Sequence, residues 1–102
     1  MKIEKFLLFL FEREQKLESA VIVPEKSKLL DAKIINDGIY LWYMIPDSIT
    51  EVTRTDKFCI VKPGMVISDD AKFVTILETT IEMSAPDGTI QAGVVIFPLF
   101  QI

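Results

Sequence analysis

Three aromatic rings fall within four positions at Tyr40, Trp42 and Tyr43, and farther on an arginine, Arg54, stands between Thr53 and Thr55. Flat rings of this kind stack on nucleobases, at ~1–3 kcal/mol per base and with little regard to base identity. A guanidinium fork between two hydroxyls suits a phosphate or a guanine edge. The tight turn Lys62-Pro63-Gly64 adds an ammonium and a glycine N–H that can share an anion. Tyr40, Trp42, Tyr43, Thr53, Arg54, Thr55, Lys62 and Gly64 form the candidate ligand-binding set. Each also has a plainer reading, and both stand at this point: core packing for Trp42, a solvated loop for Arg54, an ordinary turn for Lys62 to Gly64. A tyrosine is expected to keep its hydroxyl near water or at an interface.

Catalytic chemistry finds little material. Histidine is absent, so the chain has no imidazole general base, no serine triad and no histidine-ligated metal. Asp47-Ser48 therefore lacks a partner to take the hydroxyl proton, and Ser27-Lys28 is an adjacent pair without the Ser-x-x-Lys spacing. Asp69-Asp70 after Ser68 reads as a solvated turn, because paired carboxylates do acid–base work only where their surroundings separate their pKa values. No glycine-rich phosphate loop occurs. The single cysteine, Cys59, can close no intrachain disulfide and build no zinc site, and its apolar setting Phe58-Cys59-Ile60-Val61 reads as a buried hydrophobe. The expectation is a non-enzyme with no cofactor and no metal.

Charge narrows the partners. Eleven basic and fifteen acidic residues leave a net charge of −4, which argues against long duplex nucleic acid, since counterion release needs a clustered positive face. A small anion needs only one or two local cations and backbone N–H groups.

The elements that must position these residues read as strands. Half of the 102 residues are hydrophobic, enough for a packed core. Breakers fall at Pro24, Asn36-Asp37-Gly38, Pro46-Asp47-Ser48, Lys62-Pro63-Gly64, Ser68-Asp69-Asp70 and Pro86-Asp87-Gly88, with β-branched and aromatic runs between them. Leu29–Ile35 and Ile39–Ile45 form a hairpin around Asp37-Gly38, a pair suited to positive φ. Alternation sets Leu41, Tyr43 and Ile45 on one face of the outgoing strand and Tyr40, Trp42 and Met44 on the other. Both faces are apolar, so this strand must be covered twice, by a second layer or by another subunit. From Lys72 to Met83, Phe73, Thr75, Leu77, Thr79 and Ile81 share a side. Across the Pro86-Asp87-Gly88 turn, Ile90, Ala92, Val94 and Ile96 oppose Gln91, Gly93, Val95 and Phe97. Pro98 cannot donate to a ladder and predicts an edge or a bulge. The stretch Pro46–Asp56 reads as a long polar loop holding Ser48, Thr50, Glu51, Thr53, Arg54 and Thr55.

The N-terminal run fits two templates: Ile3, Phe6, Leu7, Leu10 and Phe11 as a helical stripe, or Ile3, Lys5, Leu7, Phe9 and Phe11 as an alternating strand. Strand is favoured because it also accommodates Leu8. The apolar stretch Phe6–Phe11 is too short for a membrane span, and Glu12-Arg13-Glu14 follows where a signal-peptide cleavage site would lie. A cytoplasmic location without membrane association is expected. The predicted fold is one all-β domain over residues 1–102, mainly antiparallel, a compact sandwich or barrel-like sheet of about seven strands with little or no helix.

Taken in order, Gln15-Lys16-Leu17, Pro24, Leu29-Leu30-Asp31-Ala32-Lys33-Ile34, Leu41-Trp42, Phe58 to Gly64, Phe73 to Thr79 and Val95-Ile96-Phe97-Pro98-Leu99-Phe100 follow a pattern running nearly the whole chain. It resembles that of small β proteins of tailed phages and prophages. It departs from them at Lys62-Pro63-Gly64, where Gly-Thr-Gly is common, and at Pro98, where a histidine is common. Such proteins are similar to phage nucleotide sponges, oligomeric binders that sequester the messengers of antiphage signalling. The resemblance implies stoichiometric capture of a cyclic nucleotide such as cyclic GMP-AMP, without turnover, by a homo-oligomer (dimer or tetramer) in the infected host cell. Under it, Trp42 or Tyr43 stacks on a base, Arg54 and Lys62 neutralise phosphates, and Thr53, Thr55 and backbone groups read base edges. The competing expectation, drawn from the apolar strand faces and acidic balance, is a protein–protein interaction module: a virion accessory or an inhibitor of a host protein.

Overall fold

A computed structural model describes residues 1–10, 17–36, 38–47 and 52–102. Phe11, the Glu12-Arg13-Glu14 run, Gln15-Lys16, Asp37, and Ser48, Thr50 and Glu51 of the polar loop lie outside the described residues. Seven strands follow in chain order: β1 Lys2–Leu10, β2 Glu18–Pro24, β3 Lys28–Ile35, β4 Gly38–Ile45, β5 Thr53–Ile60, β6 Lys72–Ser84 and β7 Ile90–Gln101. Among the described residues there is no helix, and so none long and apolar enough to cross a membrane. The N-terminal run is a strand, as expected, but a bulge between Leu7 and Phe9 breaks the alternating template: Leu7 is exposed, whereas Leu8 and Phe9 are buried.

The strands form two antiparallel sheets, one ordered β1-β4-β3 and one ordered β2-β5-β7-β6, with no strand shared between them. The result is a two-layered sandwich and not a closed barrel. The inner faces meet in a core of Val23, Ile39, Leu41, Tyr43, Phe58 and Leu99, all fully buried. β4 alternates as its sequence requires: Ile39, Leu41, Tyr43 and Ile45 are buried, whereas Tyr40, Trp42 and Met44 are half-buried on the outer side.

Besides the bulge in β1, two others change what simple alternation predicts. In β6 the pairing with β7 slips between Phe73 and Thr75. Phe73 is thereby moved off the face it would share with Leu77; it is 57% exposed and meets Phe100 edge-on at 5.6 Å. In β3 the register shifts between Leu29 and Asp31, so Lys28, Asp31 and Lys33 come onto one face although their numbering alternates irregularly. A bulge inserts one unpaired residue and reverses the parity of all that follows.

The hairpin joining β3 and β4 forms where expected; among the described residues of its turn Asn36 has a positive φ, 54°, and Gly38 does not. Gly38 is needed for a different reason: a Cβ there would lie 3.0 Å from the carbonyl oxygen of Phe9 in the neighbouring strand. Pro98 sits where the pairing of β7 with β5 ends. Its carbonyl accepts from the Val61 N–H at 3.0 Å, and the paired rungs begin at Leu99. Beyond that point β6 and β7 continue without β5, still packed on the core at Leu77 and Phe97; the chain measures 59 × 30 × 21 Å with a radius of gyration of 16.3 Å, against about 13 Å for a compact chain of this length.

Candidate functional site

Strand pairing assembles a regular array on the outer face of the three-stranded sheet. Met44 lies between Ile3 and Lys28, Trp42 between Lys5 and Asp31, and Tyr40 between Leu7 and Lys33. The aromatic pair therefore runs down the middle strand with lysines on both flanks. Lys5 holds its ammonium 4.9 Å from the centroid of the Tyr40 ring, a favourable cation–π placement. The Lys33 ammonium is 3.8 Å from Asp31. Three lysines against one aspartate make this face locally cationic on a chain whose net charge is −4. Ring faces beside ammonium groups suit a ligand that is aromatic and anionic together.

Tyr43 departs from the sequence reading, and the reason is parity. It is fully buried, with its ring edge-on to Phe6 at 5.5 Å. Its hydroxyl donates to Asp56 Oδ2 at 2.8 Å rather than reaching water or an interface. Burial, reinforced by this hydrogen bond and by the Asp56 charge, holds the phenol well above its ordinary pKa.

Arg54 is a second correction. The stretch read as a loop to Asp56 becomes strand at Thr53. Arg54 shares the inner face with Asp56, which is only 5% exposed, while Thr53 and Thr55 are exposed on the opposite side of the same strand. Arg54 Nε donates to Asp56 Oδ1 at 3.0 Å and Nη2 to Asp56 Oδ2 at 3.3 Å. Nη2 also donates to the Ser27 carbonyl at 2.6 Å, and Nη1 to that of Glu25. The guanidinium thus ties β5 to the β2–β3 turn, and its donors are largely committed. It is a structural group of the core's edge, and the fork with flanking hydroxyls envisaged from sequence does not form.

Lys62 and Gly64 lie in an exposed turn following β5 in the other sheet. The turn is closed by Met65 N donating to Lys62 O at 3.1 Å, with Gly64 at φ 86°. The eight predicted residues are therefore dispersed. Tyr40 and Trp42 share the outer face, Tyr43 and Arg54 join the interior, and Thr53, Thr55 and the Lys62 turn belong to the four-stranded layer.

The residues missed by sequence reasoning are Lys5, Lys28 and Lys33. Their signal was their alternation with apolar residues, but it depended on knowing that β1 and β3 flank β4 and where β3 bulges. Cys59 is buried as expected, and burial pushes its thiol pKa up. Among the described residues no cluster of His, Cys, Asp and Glu could hold a metal ion. Two clefts between β3 and β6 hold about 190 Å³ and 270 Å³, below the ~300–1,000 Å³ typical of ligand pockets. No protein-family model matches the chain, and no solved structure matches it.

Proposed function

We propose that this protein captures a cyclic nucleotide messenger intact and sequesters it, stacking a base on the Tyr40–Trp42 face and holding the phosphates with the flanking lysines. The single observation that carries this reading is the array in which Trp42 lies between Lys5 and Asp31, and Tyr40 between Leu7 and Lys33. The phosphate role passes from Arg54 and Lys62 to Lys5, Lys28 and Lys33, whose exposed side chains stand on the same face as the rings. The resemblance to phage nucleotide sponges supports the same class of ligand, with cyclic GMP-AMP as the first to try, and the same absence of turnover. Release of the messenger on heating, chemically unchanged, belongs to the proposal.

The test is binding by calorimetry and thermal shift against cyclic di- and trinucleotides and cyclic ADP-ribose isomers. Wild type is expected to be stabilised by one class, since a ligand that binds only the folded chain raises its apparent stability. Trp42→Ala should weaken binding by about 5- to 150-fold, the equivalent of the ~1–3 kcal/mol of one stacked base. Boiling the complex should return the input compound. Hydrolysed product, or indifference to every compound in the panel, would remove the proposal. The adaptor reading draws on a separate observation, the apolar β6–β7 ribbon, on which Ile90 and Val94 are each 69% exposed; that reading expects indifference to all the nucleotides.

A further inference from the structure

The β6–β7 ribbon carries an apolar row that its own chain leaves uncovered. On its outer face, Ile90 at 69%, Val94 at 69%, Ile96 at 55% and Ile76 at 50% remain exposed. The register places Glu78 opposite Ile96 and Glu82 opposite Ala92, so a row of acid and hydroxyl side chains runs beside the apolar one. A two-stranded ribbon is marginal in water unless a further layer packs on it. From residue 73 onward the sequence contains no lysine or arginine, only Glu78, Glu82 and Asp87 among charged residues. The outer face of β1-β4-β3 has the complementary character: Ile3, Leu7, Tyr40, Trp42 and Met44 among three lysines and one aspartate.

We infer that a second copy of this chain lays the outer face of its β6–β7 ribbon across the Tyr40–Trp42 face, with Glu78 and Glu82 against the lysines. The ribbon cannot fold back over its own chain's aromatic face, because the two surfaces lie on opposite outer sides of the sandwich and approach only at the β3–β6 edge, where Lys33 and Glu78 line one cleft. Pairing ribbon on ribbon would set acidic rows together, which is repulsive, whereas ribbon on aromatic face joins opposite charges and is ordinary sheet-on-sheet packing. The ribbon from Ile76 to Ser84 is ~30 Å long and two strands, ~10 Å, wide, so each contact surface covers about 300 Å². Because the two surfaces face opposite ways, the pairing is head to tail, each chain giving its ribbon to one neighbour and its aromatic face to another; one such contact buries two of these surfaces, about 600 Å², the size of a weak interface. The contact follows from charge and exposure alone. It covers the rings and lysines that the nucleotide reading above gives to the ligand, so ribbon and ligand exclude one another on this face.

Trp42 is the only tryptophan, so its emission reports directly on this face. Sedimentation and tryptophan fluorescence of the ligand-free chain test the contact. Wild type is expected to be a dimer or larger, with Trp42 emission shifting to the red on dilution. V94R/I96R should give a monomer with red-shifted emission and an unchanged far-ultraviolet spectrum. K33E and E82K should each weaken assembly, and together restore it, which keeps the inference testable if the arginine variant misfolds. A wild type that is monomeric at ~100 µM, or an oligomer untouched by both sets of variants, would overturn it. A monomer that still binds a cyclic nucleotide would refute this contact and leave the proposed function standing; an oligomer blind to nucleotides would do the reverse.

Discussion

Replacing Asp56 by alanine tests the polar junction on which the sandwich closes. Asp56 receives the Tyr43 hydroxyl at 2.8 Å and Arg54 Nε at 3.0 Å. Its loss leaves a fully buried hydroxyl without an acceptor, which costs about 1–3 kcal/mol. It also takes the carboxylate from the guanidinium, which keeps the Ser27 and Glu25 carbonyls and whose side chain is 36% exposed. Water there softens the penalty to about 1–2 kcal/mol, between the surface and buried limits for an ion pair. The sum centres near 3 kcal/mol, a large share of the ~5–15 kcal/mol that stabilises a domain. For a chain of this length it corresponds to a fall in Tm of about 12–24 °C. Urea and thermal denaturation followed by circular dichroism measure it. The combination Y43F/D56A should cost about 1–2 kcal/mol less than the sum of the single variants, because phenylalanine removes the orphaned hydroxyl. A D56A loss under ~1 kcal/mol, or strict additivity of the pair, would refute the argument that this junction is desolvated and coupled.

Two further outcomes follow from the same core and its edges. Tyr43 ionises at ordinary tyrosine pH in the unfolded chain, near 10, and far above that when folded. Its stabilising contribution is whole below pH 10 and diminishes above it, by up to ~1.4 kcal/mol per pH unit; Y43F, in denaturation measured from pH 9 to 11.5, should lack that component of the slope. Gly38→Ala should lower stability by about 1–3 kcal/mol, since the new methyl meets the backbone carbonyl of Phe9 at 3.0 Å, where a main-chain atom would have to shift. Gly64→Ala, with open space around it but φ at 86°, should cost only the ~1–2 kcal/mol of left-handed backbone. A Gly38→Ala or Gly64→Ala variant as stable as the wild type would contradict the corresponding assignment.

Local chemistry made much of this fold legible. Turn residues at Pro24, Asn36, Pro63 and Pro86 punctuate apolar runs, and each run became a strand. The alternation in Tyr40–Ile45 correctly divided an interior face from an outer one because side-chain period in a strand is two wherever pairing is unbroken. Pro98, lacking an N–H, marks the limit of a ladder for the same local reason. The site was less legible. Arg54 was read as a loop residue because Pro46–Asp56 is polar, yet pairing with β2 draws Thr53–Ile60 into the sheet. Once there, strand parity separates Arg54 from Thr53 and Thr55.

What the sequence determined by itself was the all-β class, the seven strands, the want of histidine chemistry, and an aromatic strand apolar on both sides. These follow from composition and from interactions between near neighbours along the chain. Only the tertiary structure decided that Tyr43 is interior and bonded to Asp56, that Phe73 turns outward, and that Lys5 and Lys33 flank Trp42 and Tyr40. Each of those depends on which strand lies beside which and on where a bulge reverses parity. Such choices are settled by packing between segments distant in sequence, where one inserted residue exchanges the two faces of a strand.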